Sequence, residues 1–370
     1  LGMTKTSLPP WMSRASRLRS LPATRAELAR WDGQGLPPEA AFAAIARELA
    51  AALEEQRIGE VAQRLNFERA GMRGLLLRTA RAGDRLGAPF RQSLPALDPR
   101  WAEPQTWLML QRAGGPTTSL YLLRALDMTR TPQGEVVAVP QDEAVFRTLF
   151  WRTLWVSVIV TLACVLLGYP VAATIAWLPA PWSTVALALV LIPFWSSVRV
   201  RSAAGFGLLS REGPVYEALG ALRLGEAPLQ LVGTRTAVLL ATVHVLLPVA
   251  ILPMLSVMRG LDRRYLQAAA SLGAGGWASF RRVWLPLTMP GVLAGAAMVF
   301  LLAVGFYITP ALVGGERDQL VAWFIAQFLN RDVNWGMSAA LSAYLLAMAG
   351  AVLGLARLLT GGAGLPGVRP

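Results

Sequence analysis

Between Arg152 and Arg199 the chain carries no charged residue, and three more uncharged runs follow at 236–258, 283–315 and 333–356. About 20 apolar helical residues cross a hydrocarbon core of about 30 Å. The first run has room for two crossings, and Pro179-Ala180-Pro181 marks the place where a helix must stop. The pattern predicts five spans, near 153–177, 183–207, 236–258, 290–311 and 336–357. The second ends among Arg199, Arg201 and the Gly205/Gly207 pair.

Upstream the pattern is of another kind. Residues 39–58 follow Pro37-Pro38 and are interrupted by Arg47, Glu48, Glu54, Glu55 and Arg57, as in a soluble amphipathic helix. Further helices are expected near 58–82, 104–113 and 117–127, with Pro/Gly clusters at 87–104 and 131–140 between them. The leucines and alanines at helical spacing read as core, and no catalytic constellation stands out. The expected organisation is a mostly helical extramembrane region over 1–147, a membrane domain over 148–358 and a tail over 359–370. The fold class is an all-α membrane protein.

Charge orients it. Residues 1–147 hold 20 Lys/Arg and 15 Asp/Glu, whereas 148–370 hold 15 and 7. Between the third and fourth spans stand Arg259, Arg263, Arg264, Arg281 and Arg282 against Asp262 alone. The stretch 209–235 cancels, with three arginines against three glutamates. The arginine-rich loop is therefore expected in the cytoplasm, with 1–147 on the outer face and 359–370 inside. An outer domain needs an export element, and none is recognisable, so a further span is expected upstream of residue 1.

Several function classes fall away. The net charge is +13, yet Lys5 is the sole lysine and the arginines are scattered without interleaved aromatics, so no nucleic-acid partner is expected. Cys164 is alone and lies in an apolar run, which excludes an intramolecular disulfide and points to a buried thiol. His244 is also alone, a packed or pore-facing side chain rather than part of a triad or metal cluster. No catalytic residue, metal or cofactor is expected. No G-x-x-x-x-G-K-[ST] loop occurs, so ATP hydrolysis, if it drives this chain, belongs to another. The Trp and Tyr residues near span ends (Trp151, Trp155, Trp177, Trp182, Tyr307, Trp323, Trp335) mostly read as interfacial anchors.

The arginine-rich loop, 259–289, carries the functional signal. Small residues over 265–272 predict a short helix that a partner can approach closely, stopped by a Gly273 C-cap. A second short helix over 277–284 sets Trp277, Phe280 and Trp284 on one face, before Pro286 and Pro290 reset the backbone. Such an element suits docking into a groove of another protein.

At Gln267-Ala268-Ala269, Gly273, Val283, Leu285 and Pro286 the chain resembles the "EAA" loop of ABC importer permeases, with the spacing kept and the family's glutamate replaced by Gln267. The resemblance extends over about 145–358. Leu167-Gly168-Tyr169-Pro170, Pro193-Phe194-Trp195-Ser196-Ser197 with Val200-Arg201, Leu246-Leu247-Pro248, 305–315 (GFYITPALVGG) and Asn334-Trp335-Gly336 look like the spermidine/putrescine branch. It implies six spans, the first missing here, in a bacterial inner membrane. The partners implied are an ATPase dimer, a second permease subunit, a periplasmic solute-binding protein and membrane lipid. It implies a coupling loop using Gln267, Ala268, Ala269, Gly273, Ala274, Trp277, Phe280 and Pro286, and a translocation path past Trp195, Phe306 and Tyr307. A polyamine is the first solute to expect, although Phe306 stands where related permeases often place a glutamate. The rival readings are a single-chain secondary carrier and a membrane-anchored remnant that transports nothing.

Overall fold

The computed structural model describes residues 21–59, 62, 65–66, 69, 71–113, 118–131, 134–210, 213–214, 216–217 and 232–359. Contacts divide the chain into two units, Leu1–Ala144 with Asn334–Ala340, and Val145–Val333 with Leu341–Pro370. The expected tail lies almost wholly outside the described residues.

In the first unit, α1 (Pro22–Arg30), α2 (Glu39–Glu54), α3 (Met72–Ala82), α4 (Phe90–Leu97), α5 (Pro104–Ala113) and α6 (Leu120–Arg124) precede a small antiparallel hairpin. Its strands are β1 (Met128–Arg130) and β2 (Val136–Ala138), with Thr129 opposite Val137. The core is built on Phe42, Ile45, Leu49, Leu75, Trp101 and Trp107. Trp107 packs 4.3 Å from Phe42 and 5.1 Å from Trp101, ring centre to ring centre. Both indoles find acceptors when buried: Trp101 donates to Thr79 at 3.0 Å and Trp107 to the Trp101 carbonyl at 2.9 Å.

The acids of α2 cap its neighbours. Glu48 accepts the backbone N–H groups of Ala23 and Thr24 at the start of α1, and Glu39 accepts those of Phe90 and Arg91 at the start of α4. That is why a helix forms in the Pro/Gly-rich stretch 87–104, where only punctuation was expected. The cap comes from 51 residues away. The helix expected at 117–127 is only Leu120–Arg124, because the backbone turns out at Asp127 (φ 55°) into the hairpin. Of the helix expected at 58–82, α3 fills the second half; part of the first lies outside the described residues.

Asp98 accepts from the Arg78 and Arg100 guanidiniums at 2.5 and 3.0 Å while buried. The side-chain hydrogen bonds from Arg100, aided by its backbone N–H and by both positive charges, hold the Asp98 carboxyl down at about 2 against the burial that would raise it. A depressed folded pKa contributes stability above the unfolded value of about 3.9 that is lost as pH falls toward 2. Asp98→Asn is therefore expected to lower the unfolding midpoint at pH 7 and to flatten its fall between about pH 4 and pH 2, read from tryptophan fluorescence. An unchanged acid profile in the variant would show that Asp98 is not the linked group.

The second unit begins with α7 (Phe146–Trp177), then α8 (Ala180–Trp195), α9 (Val198–Leu209) and α10 (Arg235–Gly260). After the loop come α13 (Leu285–Val304), α14 (Ile308–Val313), α15 (Val321–Asn330) and α16 (Trp335–Leu359), the loop itself holding α11 (Arg264–Ser271) and α12 (Gly276–Ser279). Among the described residues four helices are long and apolar enough to cross a membrane, or five if the bent pair α8–α9 counts as one. Four of the five expected spans are present as single helices, and the second corresponds to the bent pair α8–α9. The second bends by 99° between Trp195 and Val198. Pro193 removes a helical N–H, Ser196 donates back to the Pro193 carbonyl at 2.8 Å, and Ser197 caps α9 by accepting from Val200 at 3.2 Å. The fourth span stops at Val304 rather than 311, and α14 turns off after Gly305.

α7, α10 and α13 pack together around Val156, Val160, Cys164, Ala250, Met254 and Val299. Cys164 is buried as expected and donates to the Val243 carbonyl at 3.7 Å. His244 is exposed on α10, which leaves the pore-facing of its two expected placements and not the packed one. α15 is too short to cross; Thr153 of α7 caps it by accepting from Val321 at 3.0 Å. Asn334 caps α16 through Met337 at 3.1 Å.

Candidate functional site: a capped loop at one end of the spans

α11 is a two-turn helix of small residues that stops where the sequence says. Leu272 is its C-cap, and Gly273 follows with φ +84°. The Gly273 N–H donates to the Ala270 carbonyl at 2.9 Å and the Ala274 N–H to the Ala269 carbonyl at 3.0 Å. That pair of bonds is a Schellman motif, and it satisfies carbonyls a helix end leaves open. A side chain at Gly273 would meet no atom within 4 Å, so the glycine is required by backbone conformation and not by space.

Beyond the cap, α12 runs into five residues of π-helix, Phe280–Trp284, and then directly into α13. The prolines were expected to break the backbone here. Instead the wider turn accommodates Pro286, which has no N–H for the Arg282 carbonyl: Leu285 donates to Phe280, five residues back. The π turn also breaks up the expected single aromatic face. Trp277 and Phe280 stack at 5.5 Å, while Trp284 turns into the core and meets Trp177 at 5.3 Å.

What remains outside is an apolar knob. Leu272 is 89% exposed, Trp277 73% and Tyr265 58%. Gln267, Ala268, Gly273 and Pro286 are also exposed, whereas Ala269, Ala274 and Phe280 are half-buried. Arg264, Arg281 and Arg282 are exposed around them. Soluble surfaces seldom leave such large side chains bare together without a partner.

The knob is firmly mounted. Arg263 lies 5.0 Å over the Trp177 ring, Arg259 donates to the Ser183 hydroxyl at 2.6 Å, and Phe280 meets Tyr169 edge-on at 6.3 Å. The Tyr169 and Thr288 hydroxyls lie 3.0 Å apart. Direct contacts thus tie the loop to α7 and α8, and α7 in turn to α13. Sequence reasoning gave Ser183 and Thr288 no role and named Tyr169 only within the resemblance over 167–170; these contacts form between residues far apart in the chain. Trp177, read as an interfacial anchor, also packs against Trp284 and under Arg263.

Trp195, Phe306 and Tyr307 sit at the other end of the bundle. α8 rises about 24 Å from the loop end to Trp195, which is 88% exposed at the bend. Tyr307, 38% exposed, opens α14, and Phe306 is half-buried against the core. Their segments are joined, since α9 packs on α14 and the buried Ser202 and Thr309 hydroxyls are 2.6 Å apart. The rings are not: among the described residues no ring contact links the three. Arg201 is half-buried between the Phe194 ring at 5.3 Å and the Val245 carbonyl at 3.2 Å. No carboxylate lies on the described spans themselves.

A family model described as "Binding-protein-dependent transport system inner membrane component" matches residues 146–360. A spermidine/putrescine transport system permease protein, PotB of Escherichia coli, is 37% identical over 214 residues, covering 57% of this chain and 77% of its own. PotB of Haemophilus influenzae is 35% identical over 197 residues, 53% of this chain and 69% of its own. Among solved structures, a bacterial alginate ABC transporter in complex with a periplasmic protein aligns with a TM-score of 0.48 at 14% identity, over 63% of this chain and 85% of that one.

Proposed function

The chain belongs to the binding-protein-dependent transport system inner membrane component family, and from that premise we propose that its 259–289 loop couples the spans to a separate ATPase. It is the permease subunit of an ABC importer, a multi-pass protein of the inner membrane. Two ATPase chains, a second permease and a soluble binding protein complete the assembly in this reading. The ATPase offers a groove to the Leu272/Tyr265/Trp277 knob, and closure of the ATPase pair moves α11 together with the helices on which it is mounted. One observation carries this reading: an exposed apolar knob on a Schellman-capped helix, tied by Arg259, Arg263 and Phe280 to α7 and α8. Gln267 keeps the size and hydrogen bonding of the family glutamate without its charge, so docking here rests on shape and apolar contact. The region 1–147 faces outward, on the binding protein's side, as the arginine distribution suggests.

The solute we propose is a polyamine, on the strength of the PotB relatives. With no acid on the spans, aromatic faces are what the membrane path offers a cation, each contributing about 0.5–2 kcal/mol. Selectivity then resides in the binding protein. Replacing Trp195 and Tyr307 together by leucine is expected to slow uptake several-fold without changing which solute is taken. Proteoliposomes containing the full assembly and its cognate binding protein read this directly. A changed solute preference, or undiminished turnover per folded molecule, would remove both rings from the path.

A further inference from the structure

The first unit holds a cavity that the importer reading leaves unused. One face of α5 presents Gln105, Met109 and Arg112, at helical spacings of four and three. Leu120 and Leu123 of α6 line it, with Thr118 and Ser119 just before them. β1 adds Thr129 and Arg130, and Arg69 completes the wall. The volume is about 560 Å³, within the range of sites that hold small molecules.

Among the described residues, three guanidiniums and no carboxylate line this space. Arg69 is held by Glu103 at 2.7 Å and by the Thr106 hydroxyl at 3.2 Å. Arg112 donates to the Thr131 carbonyl at 2.7 Å and the Leu108 carbonyl at 3.3 Å. Each guanidinium has five donors, so both keep some for a ligand. Arg130 makes no hydrogen bond or ion pair with another described residue. Glu103 offsets one of the three charges, and Arg112 and Arg130, both exposed at the cavity's edge, meet no counter-charge among its described lining residues. Hydroxyls from Thr118, Ser119 and Thr129 and the Gln105 amide add neutral donors. Met109, Leu120 and Leu123 form an apolar side that an inorganic ion would leave unused.

We propose that this cavity binds a small organic anion, a carboxylate or phosphate monoester whose charged end meets Arg112 and Arg130 and whose carbon skeleton lies on Met109, Leu120 and Leu123. The guanidinium fork suits such planar or tetrahedral oxyanions. The lining belongs to the first unit alone, and its ligand has the charge opposite to a polyamine.

Phenyl phosphate is the probe, with phenol as its neutral counterpart, titrated by calorimetry into the full chain in detergent. Phenyl phosphate is expected to bind and phenol not, with affinity falling as salt rises. Arg130→Gln, which removes no contact seen in the fold, is expected to weaken binding about tenfold, equivalent to 1.4 kcal/mol. Arg91→Gln, on α4 and outside the lining, serves as the control and is expected to change nothing. Equal binding of phenol, no binding of phenyl phosphate at millimolar concentration, or an Arg130→Gln variant that binds as wild type would each overturn the proposal. So would an equal loss in Arg91→Gln, which would indicate unspecific attraction to a basic surface.

Discussion

Gly273→Val is expected to abolish the ATP hydrolysis that solute and binding protein stimulate, while leaving the chain inserted and folded. At φ +84° a β-branched residue costs about 1–3 kcal/mol, enough to favour another backbone path. No neighbouring atom of this chain lies within 4 Å of the new side chain, so the span bundle has no reason to suffer. What changes is the Schellman pair at Ala269 and Ala270, and with it the direction in which Leu272 and Trp277 project. Gly275→Ala is the matched control, two residues on, with φ −68° and equally open space. It is expected to hydrolyse and transport as wild type. If Gly273→Val transports normally, the loop does not couple anything.

The largest expected effect on folding comes from Gly295→Leu. Gly291 and Gly295 sit one turn apart on α13, facing α10 at close range. A Cβ on Gly295 would stand 2.8 Å from the Ala250 carbonyl oxygen, and one on Gly291 would stand 2.9 Å from Val257 Cβ and 3.0 Å from the Pro253 oxygen. Both obstacles include backbone, which cannot swing aside. In lipid no hydrophobic force compensates, because separated helices meet apolar tails; association rests on close packing. Overpacking of this kind costs about 1–3 kcal/mol for the first carbon, and a leucine adds three more carbons with nowhere to go. Gly295→Ala is expected to lower the melting temperature clearly, and Gly295→Leu to leave little monodisperse protein after detergent extraction. Gly350→Ala on α16, where nothing lies within 4 Å, should be neutral. Similar yields for Gly295→Leu and Gly350→Ala would mean that α10 and α13 are not packed as described.

The spans and the Gly273 cap were legible because each is a local signal: an uncharged run, or a glycine after a short helix. The bend at Ser196-Ser197 was equally local, written in Pro193 and two serines, but hydropathy alone reads through it as one span. The G-x-x-x-G at 291–295 could also have been read as a close-packing face. Other features depend on distant partners. α4 needs the Glu39 carboxylate, and the mounting of the loop needs Trp177 and Tyr169, none of which is near in sequence. Trp284 was placed on the wrong face because helical spacing assumes 3.6 residues per turn, and the π turn ahead of Pro286 does not keep it. The residues of the 259–289 loop therefore form one compact element, while Trp195, Phe306 and Tyr307 share a neighbourhood with no ring contact among them.

We propose that this chain moves a solute only when a separate ATPase, docked on the 259–289 loop, hydrolyses ATP. Proteoliposomes containing this chain, its second permease, the ATPase and the binding protein test it by measuring uptake and phosphate release together. The account predicts that uptake and hydrolysis rise together with binding protein and solute, and that both vanish when the ATPase or ATP is withheld. Uptake that continues without the ATPase, driven by an imposed proton or sodium gradient, would contradict it and identify a secondary carrier instead.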